Sequence, residues 1–411
     1  MDKIYEAFLN ILNQTLKGAA LAEEPGLSPE EWQALLVLAS DHDLLGFVYD
    51  AVCNQPSFRN IPAEVRKPFQ ERAVASAMRE VVQTNEFLTL LLHLQEKGLD
   101  PAVLKGIICR SLYPKPLLRP SVDEDLLAAP EDRMLFHEAL LAEGFTLDED
   151  VSLTDEELSY HKPNSPSYIE LHQTPFPSNA AAYADCNTLF EGALSRTVRV
   201  QIEDVSVRTL SPSDHLLFLL CHAYKHFLHS GVGIRQVCDI VMFVRKNETE
   251  INWDWVYAQC RSISIEKFAA ALFCIGKTYL GLETEIPAFQ EEVDPLPLLE
   301  DILSGGLYGI NDENRLHSST ITLSAVAAEK QGTSSNGYFH TLFPPYRTMA
   351  RRYPYVKRCP LLLPISWGQR FVVYVAGVFK VHKKNRPSES IRIGRERVEL
   401  LKEYGIIERK I

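Results

Sequence analysis

Residues 119–128 read RPSVDEDLLA, and this stretch between prolines predicts a short β-strand over Ser121–Ala128. Successive side chains of a strand point to opposite faces of its sheet, so Asp123 and Asp125 project to one side and Glu124 to the other. Two carboxylates that lie so close stay charged together most easily when a cation sits between them. The stretch therefore predicts a β-sheet that carries a cation site.

Further elements of an α/β unit are predicted on both sides of this strand. Short apolar or alternating runs bounded by glycine, proline or acidic turns indicate strands, and an apolar run of helical period that ends at Gly144 indicates a helix. These elements are a strand over 101–106, a helix over 131–143, a strand over 168–172 and a hairpin over 197–209.

Helical patterns flank this unit, and the fold class predicted is α+β, a small mixed-sheet core between N- and C-terminal helical lobes. The 411 residues exceed the ~150 that are typical of one domain, so we expect several lobes. The predicted division is a helical region at 1–99, the α/β core at 100–210, a helical domain at 211–300, a glycine-rich loop or linker region at 301–345, and a basic C-terminal segment at 346–411.

The composition excludes several classes of protein. Apolar residues make up 46% and charged residues 23% of the chain, which is ordinary for a globular protein and rules out wholesale disorder. The eight cysteines form no C-x-x-C pair, so we expect neither a zinc ribbon nor a disulfide scaffold. The longest apolar run, 371–379, is shorter than the ~20 residues that a membrane-spanning helix needs. We therefore expect a cytoplasmic protein without a membrane span.

The net charge of −12 conceals a strong asymmetry along the chain. Residues 343–411 carry 16 Lys and Arg against five Asp and Glu, while the preceding part is strongly acidic. Such a segment could bind nucleic acid or phosphate, or it could dock on the acidic body of its own chain. We favour docking, because core-type residues accompany the charges. Nucleic acid remains open as a partner without being indicated, and the oligomeric state is left open as well.

Residues elsewhere in the predicted α/β unit indicate what the carboxylates of the acidic strand could bind. Mg²⁺ prefers oxygen ligands, and Glu170 on the strand over 168–172 is placed to add a third carboxylate to Asp123 and Asp125. Upstream, Lys105 and Gly106 end a strand with an ammonium group and a flexible backbone that could approach phosphates. Two acids at this spacing are common on solvated surfaces, so the pair alone is a weak signal.

Several short motifs recur in a fixed order that is more specific than any one of them. In order they are Leu104-Lys105-Gly106, Arg119, Asp123-x-Asp125, Glu170-Leu171-His172, Leu210-x-Pro212-x-Asp214 and His222-x-x-Lys225-His226. This order resembles an uncharacterised bacterial nucleotidyltransferase family within the DNA polymerase beta-like nucleotidyltransferase superfamily. The resemblance extends over most of the chain and weakens toward the C-terminus.

Two positions depart from the superfamily pattern. Many members have Gly-Ser where this chain has Gly106-Ile107, so the hydroxyl that usually contacts phosphate is missing and Lys105 is expected to substitute for it. The middle residue of the D-x-D motif is usually apolar, and here it is Glu124.

The resemblance implies transfer of a nucleoside monophosphate from an NTP to a hydroxyl acceptor, with release of pyrophosphate. It implies two Mg²⁺ ions held by Asp123, Asp125 and Glu170, with Glu170 also helping to deprotonate the acceptor. Lys105, the Gly106 amide and Arg119 would then orient the triphosphate. The resemblance names neither the NTP nor the acceptor.

A second candidate cluster lies on the helix that begins at Ser211. One face of this helix carries His222, Lys225, His226 and His229 at helical spacing, and these four residues form the histidine stripe. A zinc site is the least favoured interpretation, because no third and fourth ligands are evident. The open alternatives are a basic stripe in which Lys225 and His226 contact the NTP or the acceptor, and a structural histidine cluster that bonds to Asp239.

Three functions of different classes remain open from the sequence. The first is the Mg²⁺-dependent nucleotidyltransferase. The second is a non-catalytic nucleotide-binding or protein-interaction module on the same fold. The third is an unrelated helical scaffold whose acidic residues are surface groups.

Overall fold

The structure is a computed structural model, and it describes residues 2–307, 313–331, 346, 349, 353–369 and 387–408. The described part combines helices with one seven-stranded sheet of mixed direction, which confirms the predicted α+β class. Among these residues, no helix is both long and apolar enough to cross a membrane.

The sheet has the strand order β3-β4-β5-β2-β1-β7-β6 and lies in the middle of the chain. Strand β2 pairs with β1 in antiparallel and with β5 in parallel direction, which makes β2 and β5 direct neighbours. The strands are β1 Ala102–Val103, β2 Glu124–Leu127, β3 Thr146–Leu147, β4 Glu157–His161, β5 Tyr168–His172, β6 Val198–Ile202 and β7 Val205–Thr209.

Most predicted elements of the core are present, although the acidic strand is shorter than expected. Strand β2 begins at Glu124, so Asp123 lies just before it. The predicted strand over 168–172 and the hairpin over 197–209 are confirmed as β5 and as β6 with β7. The predicted helix after Pro130 becomes a 3-10 turn followed by α7 (Arg133–Ala142). Strands β3 and β4 were not predicted.

Five helices precede the sheet, and their starts follow from sequence signals. The carboxylate of Asp2 accepts a hydrogen bond from the Ile4 amide, and Ser28 and Glu31 form a reciprocal capping box. The helices are α1 Lys3–Leu16, α2 Pro29–Asp41, α3 Leu45–Val52, α4 Pro56–Arg59 and α5 Ala63–Glu96. The second half of α5 packs its leucines into a core shared with the sheet and α7, and this core supports β2 from one side.

A short helix follows β1, and a compact helical lobe follows the sheet. Ser211 caps the start of this lobe, as the sequence predicts, and α8 and α9 are buried along most of their length. Their apolar side chains share a second core with α1–α3. The helices are α6 Ile107–Ser111, α8 Pro212–Leu228, α9 Ile234–Asn247, α10 Trp253–Ser262 and α11 Glu266–Tyr279.

The prediction of a loop or linker region over 301–345 is wrong for much of the part of this range that the structure describes. Helix α12 (Leu296–Gly305) runs into this range, and α13 (Glu313–Lys330) fills residues 313–330. The buried side of α13 carries Arg315, Ser318 and Thr322 as well as Val326, so polar residues interrupt any apolar stripe in the sequence. The remaining part of the predicted loop lies outside the described residues, and the domain boundaries remain predictions.

The described part of the basic segment includes two helices, α14 (Pro354–Arg358) and α15 (Pro387–Glu403). Helix α15 packs along α13. Buried Arg397 of α15 donates hydrogen bonds to the carbonyls of Phe227 and His229 at the end of α8. A cation at a helix C-terminus is favourable, so α15 stabilises the end of the helix that carries the predicted histidine stripe.

Candidate functional site

Two neighbouring strands bring a carboxylate pair and a histidine together. Asp125 of β2 lies directly opposite Glu170 of β5, and His172 lies two residues further on the same face of β5. His172 Nε2 is 3.2 Å from Asp125 Oδ1 and 3.4 Å from Glu170 Oε2. One ligand atom from each of the three residues lies within 4.8 Å of the other two, an arrangement that could hold a metal ion.

The charges in this group stabilise one another. Burial alone would lower the pKa of His172, but its hydrogen bonds to Asp125 and Glu170 outweigh burial and raise the pKa to about 9. Burial alone would raise the pKa of Asp125, yet Lys105 and His172 hold it well below its usual range. The group is therefore a buried cluster of paired charges in which Asp125 is an anion at neutral pH.

Lys105 connects this cluster to Asp123. Lys105 Nζ is 3.1 Å from Asp125 Oδ2 and 3.6 Å from Asp123 Oδ1, so both aspartates face the same ammonium group. Asp123 is half-buried and lies outside the group formed by Asp125, Glu170 and His172. Its predicted role as a metal ligand remains a prediction.

The glycine at position 106 and the glutamate at position 124 depend on each other, because the Glu124 carboxylate fills the space that a side chain at position 106 would need. Gly106 has a positive φ of 50°, which favours glycine, and a Cβ atom there would lie 1.9 Å from Glu124 Oε2. The Glu124 carboxylate accepts hydrogen bonds from the Ile107 amide at 2.7 Å and from Arg110 Nη2 at 2.8 Å. Burial raises the pKa of Glu124 to about 7, although Arg110 opposes this shift. Glu124, the unusual middle residue of the D-x-D motif, therefore has specific hydrogen-bond donors in Ile107 and Arg110, next to Gly106.

Arg119 is held in a buried ion pair. Its guanidinium donates to Asp239 Oδ1 at 3.0 Å and to Asp239 Oδ2 at 2.6 Å, and Tyr113 donates to the same carboxylate at 2.7 Å. The alternative that the histidine cluster bonds to Asp239 is wrong, because Arg119 and Tyr113 hold this carboxylate instead. A contact of Arg119 with the triphosphate remains a prediction.

One residue of the histidine stripe, His222, contacts Lys105 and so connects the stripe to the group of Asp125, Glu170 and His172. His222 Nε2 is 3.4 Å from Lys105 Nζ and 3.2 Å from His226 Nε2. Burial, together with the nearby lysines, lowers the pKa of His222 and of His226 well below the usual range, so both rings are neutral at neutral pH. Lys225 is half-buried on the same helix, and His229 bonds to Tyr183 instead. Phosphate contacts of Lys225 and His226 remain predictions.

A narrow polar cleft lies between the core and the helical lobe. Two of its members, Arg235 and Gln236 from the start of α9, were missed by sequence reasoning because nothing links them to the core along the chain. Sequence reasoning also missed that His172 belongs to the group with Asp125 and Glu170, although the alternation of Glu170 and His172 on one strand was a usable signal. The cleft is lined by Lys105, Arg119, Ser121, Asp123, Leu219, His222, Arg235, Gln236 and Asp239.

A mixed sheet with paired acids on adjacent strands beside a Lys-Gly turn is what we expect of a nucleotidyltransferase. The chain belongs to a family of that class, described as "Uncharacterised nucleotidyltransferase", whose model matches residues 28–281. The match spans more than half of the chain and confirms the family predicted from the motifs. No curated protein and no solved structure matches the chain.

The matched region includes the sheet, the charged cluster and helices α2–α11. Helices α12 to α15 follow it, so the residues of α13 and α15 that contact the end of α8 lie outside the family match. Family membership supports nucleotidyl transfer as the general reaction, and enzymes of this class generally use divalent metal ions.

Proposed function

We propose that the protein transfers a nucleoside monophosphate from an NTP to an unidentified hydroxyl acceptor, with Mg²⁺ as the cofactor and pyrophosphate as the second product. One observation carries this proposal. Asp125 and Glu170 lie directly opposite each other on parallel neighbouring strands, with ligand atoms gathered within 4.8 Å together with His172. Paired acids on one sheet face provide the oxygen ligands that Mg²⁺ prefers.

The residues present fit a divalent ion. Asp125 Oδ2 is buried beside Lys105, and it accepts no hydrogen bond of good geometry from the described residues. In the proposed function Asp123, Asp125 and Glu170 hold two Mg²⁺ ions, and His172 orients Asp125 and Glu170 through its ring nitrogen. When bound, such ions neutralise the developing negative charge and polarise the phosphoryl group.

The other side chains position the reactants. Glu170 is half-buried and accepts the proton of the acceptor hydroxyl, while Lys105 and the Gly106 amide orient the triphosphate. Arg119, Lys225 and His226 add positive charge or hydrogen bonds along the cleft. Phosphoryl transfer depends mainly on positioning and charge neutralisation, so the site requires no covalent nucleophile.

A second function is favoured by one specific observation. Lys105 already neutralises Asp123 and Asp125, and Arg119 is already paired with Asp239. A site whose charges are satisfied within the chain suits a non-catalytic module that binds a nucleotide or a protein. This alternative predicts nucleotide binding that does not depend on a metal ion.

Thermal unfolding with each of the four NTPs, with and without Mg²⁺, separates the two functions. The proposed function predicts a rise of several degrees in the melting temperature with at least one NTP, and only when Mg²⁺ is present. A rise that is independent of Mg²⁺ favours the non-catalytic module, and no rise with any NTP contradicts the proposed function and any nucleotide-binding form of that module. Glu138→Gln, which changes an exposed acid on α7, is the control and should respond as the unmodified protein does.

A further inference from the structure

A buried charged network lies directly behind the turn formed by residues 105–107. Glu80, Arg110 and Glu124 are 0%, 2% and 4% exposed. Arg110 Nη2 donates to Glu124 at 2.8 Å, and Arg110 Nε is 3.1 Å from Glu80 Oε2. Arg110 Nη1 also donates to Thr84 at 2.6 Å. The network therefore links the long helix α5 to the middle residue of the D-x-D motif.

The network contacts the backbone at two places on the core side of the cleft, next to Lys105 and at Ser121, and both of these residues line the cleft. Glu124 Oε2 accepts from the Ile107 amide at 2.7 Å, immediately after Gly106. Glu80 Oε1 accepts from the Ser121 amide at 3.2 Å, two residues before Asp123. Both backbone segments are thus attached to the same buried group of charges.

Stability alone is a poor explanation for this network. Burying two carboxylates around one guanidinium costs solvation free energy, and replacing such groups by packed apolar residues is often neutral or stabilising. A packed apolar side chain at position 124 would avoid that cost. The acid here accepts the Ile107 amide and fills the space that a Gly106 side chain would occupy.

We propose that Glu124 is a positioning residue, which fixes the Lys105-Gly106-Ile107 turn so that the Lys105 ammonium and the Gly106 amide face the triphosphate. This inference rests on the proposed function. The Lys105 ammonium group lies 3.1 Å from Asp125 on the opposite face of β2, so a turn that is free to move would shift it relative to the acids. Glu124 acts on the nucleotide only through this turn.

Two substitutions of Glu124 distinguish the effect of its side-chain length from the effect of its charge. Glu124→Gln keeps the length of the side chain, and its amide oxygen can still accept from Ile107. Glu124→Asp keeps the charge beside Arg110 but withdraws the oxygens from the Ile107 amide by about one bond length. The control is Thr84→Val, which removes a partner of the same Arg110 without touching the turn and conserves side-chain shape.

The measurement is calorimetric binding of a non-hydrolysable NTP with Mg²⁺, together with binding of Mn²⁺ alone and thermal unfolding. We expect Glu124→Asp to weaken nucleotide binding about tenfold, the scale of one lost hydrogen bond to a charged group, and Glu124→Gln to weaken it less. Mn²⁺ binding should be unchanged in both variants. Thr84→Val should lower the melting temperature and leave nucleotide binding unchanged.

Equal nucleotide affinity in the unmodified protein and in both Glu124 variants would overturn the positioning role, whatever happens to stability. A larger loss in Glu124→Gln than in Glu124→Asp would also overturn it, because charge rather than reach would then be the property that matters. Absence of nucleotide binding by the unmodified protein would instead reject the proposed function itself.

Discussion

Asp125 combines two tasks at the scale of a single residue. It lies between the Lys105 ammonium and the His172 ring, at 3.1 Å and 3.2 Å, and these partners hold its pKa well below the usual range. The same carboxylate faces Glu170 across neighbouring strands. Asp125 is therefore both a structural anion of the metal-free protein and the best-placed metal ligand of the proposed site.

Asp125→Asn tests both tasks, because Asn conserves the shape of Asp and removes its charge. We expect turnover to fall by at least ~10²-fold, the scale of removing one preorganised electrostatic group. The metal-free protein should lose about 1–3 kcal/mol of its free energy of unfolding, since Lys105 and His172 lose their anion. Urea unfolding and an NTP-consumption assay with Mg²⁺ provide the two measurements.

Asp123→Asn is the matched comparison. Asp123 is half-buried and lies 3.6 Å from Lys105, so its neutralisation should cost less stability than that of Asp125. Unchanged turnover in Asp125→Asn would show that the acid is structural and would contradict the proposed function.

At the scale of elements, one buried ion pair joins the core to the helical lobe. Arg119 precedes β2, and its partner Asp239 lies in α9. Both side chains are almost fully buried, and Tyr113 completes the coordination of the carboxylate. This pair fixes one wall of the cleft, because α9 also carries Arg235 and Gln236.

Removing one partner of this pair should be strongly destabilising. We expect Arg119→Met to lower the free energy of unfolding by about 3–5 kcal/mol, because it leaves the Asp239 carboxylate buried without its cation. In the double variant Arg119→Met/Asp239→Asn, the loss should be smaller than the sum of the two single losses. Urea unfolding of the four proteins gives the coupling energy, and additive or small losses would contradict a structural role for the pair.

Local signals in the sequence were sufficient for elements that depend on their own residues. Ser28 and Ser211 mark helix starts, and the alternation in β5 places Glu170 and His172 on one face. Helix α13 was missed because its buried side contains Arg315 and other polar residues whose partners lie elsewhere in the chain.

The same limit applies to the site. The acids of β2 and β5 could be assigned from alternation and motif order. The partners of Arg119 and Glu124 could not, because Asp239 lies 120 positions from Arg119, and Arg110 meets Glu124 only through a turn and a strand pairing. Contacts between side chains that are distant in sequence leave no local periodicity.

At the scale of the whole molecule, His42 links the N-terminal helices to α12. It follows the end of α2, stacks on Phe8 of α1, and bonds to the Leu303 carbonyl of α12 at 3.3 Å. Burial lowers its pKa to about 4 from an ordinary value of 6.5, although the bond to Leu303 opposes the shift. The folded protein therefore holds a neutral ring at this junction.

This junction should make the protein sensitive to acid. Below pH 6.5 His42 binds a proton in the unfolded chain but stays neutral in the folded chain. The contribution of neutral His42 to the free energy of unfolding is therefore complete above pH 6.5 and is lost as the pH falls toward 4. Relative to His42→Gln, the unmodified protein should lose up to about 3 kcal/mol of unfolding free energy over that range. Urea unfolding at several pH values measures the difference, and parallel pH profiles of the two proteins would contradict it.

In the proposed function, Asp125 and Glu170 hold the metal ion that acts on a bound NTP. Crystals grown with Mn²⁺ in place of Mg²⁺ and with a non-hydrolysable NTP test it most directly, since Mn²⁺ is located by its anomalous scattering. We expect an anomalous peak at the carboxylates of Asp125 and Glu170, with the triphosphate beside Lys105. A bound nucleotide with no Mn²⁺ at these two carboxylates would contradict the assignment of Asp125 and Glu170 as metal ligands.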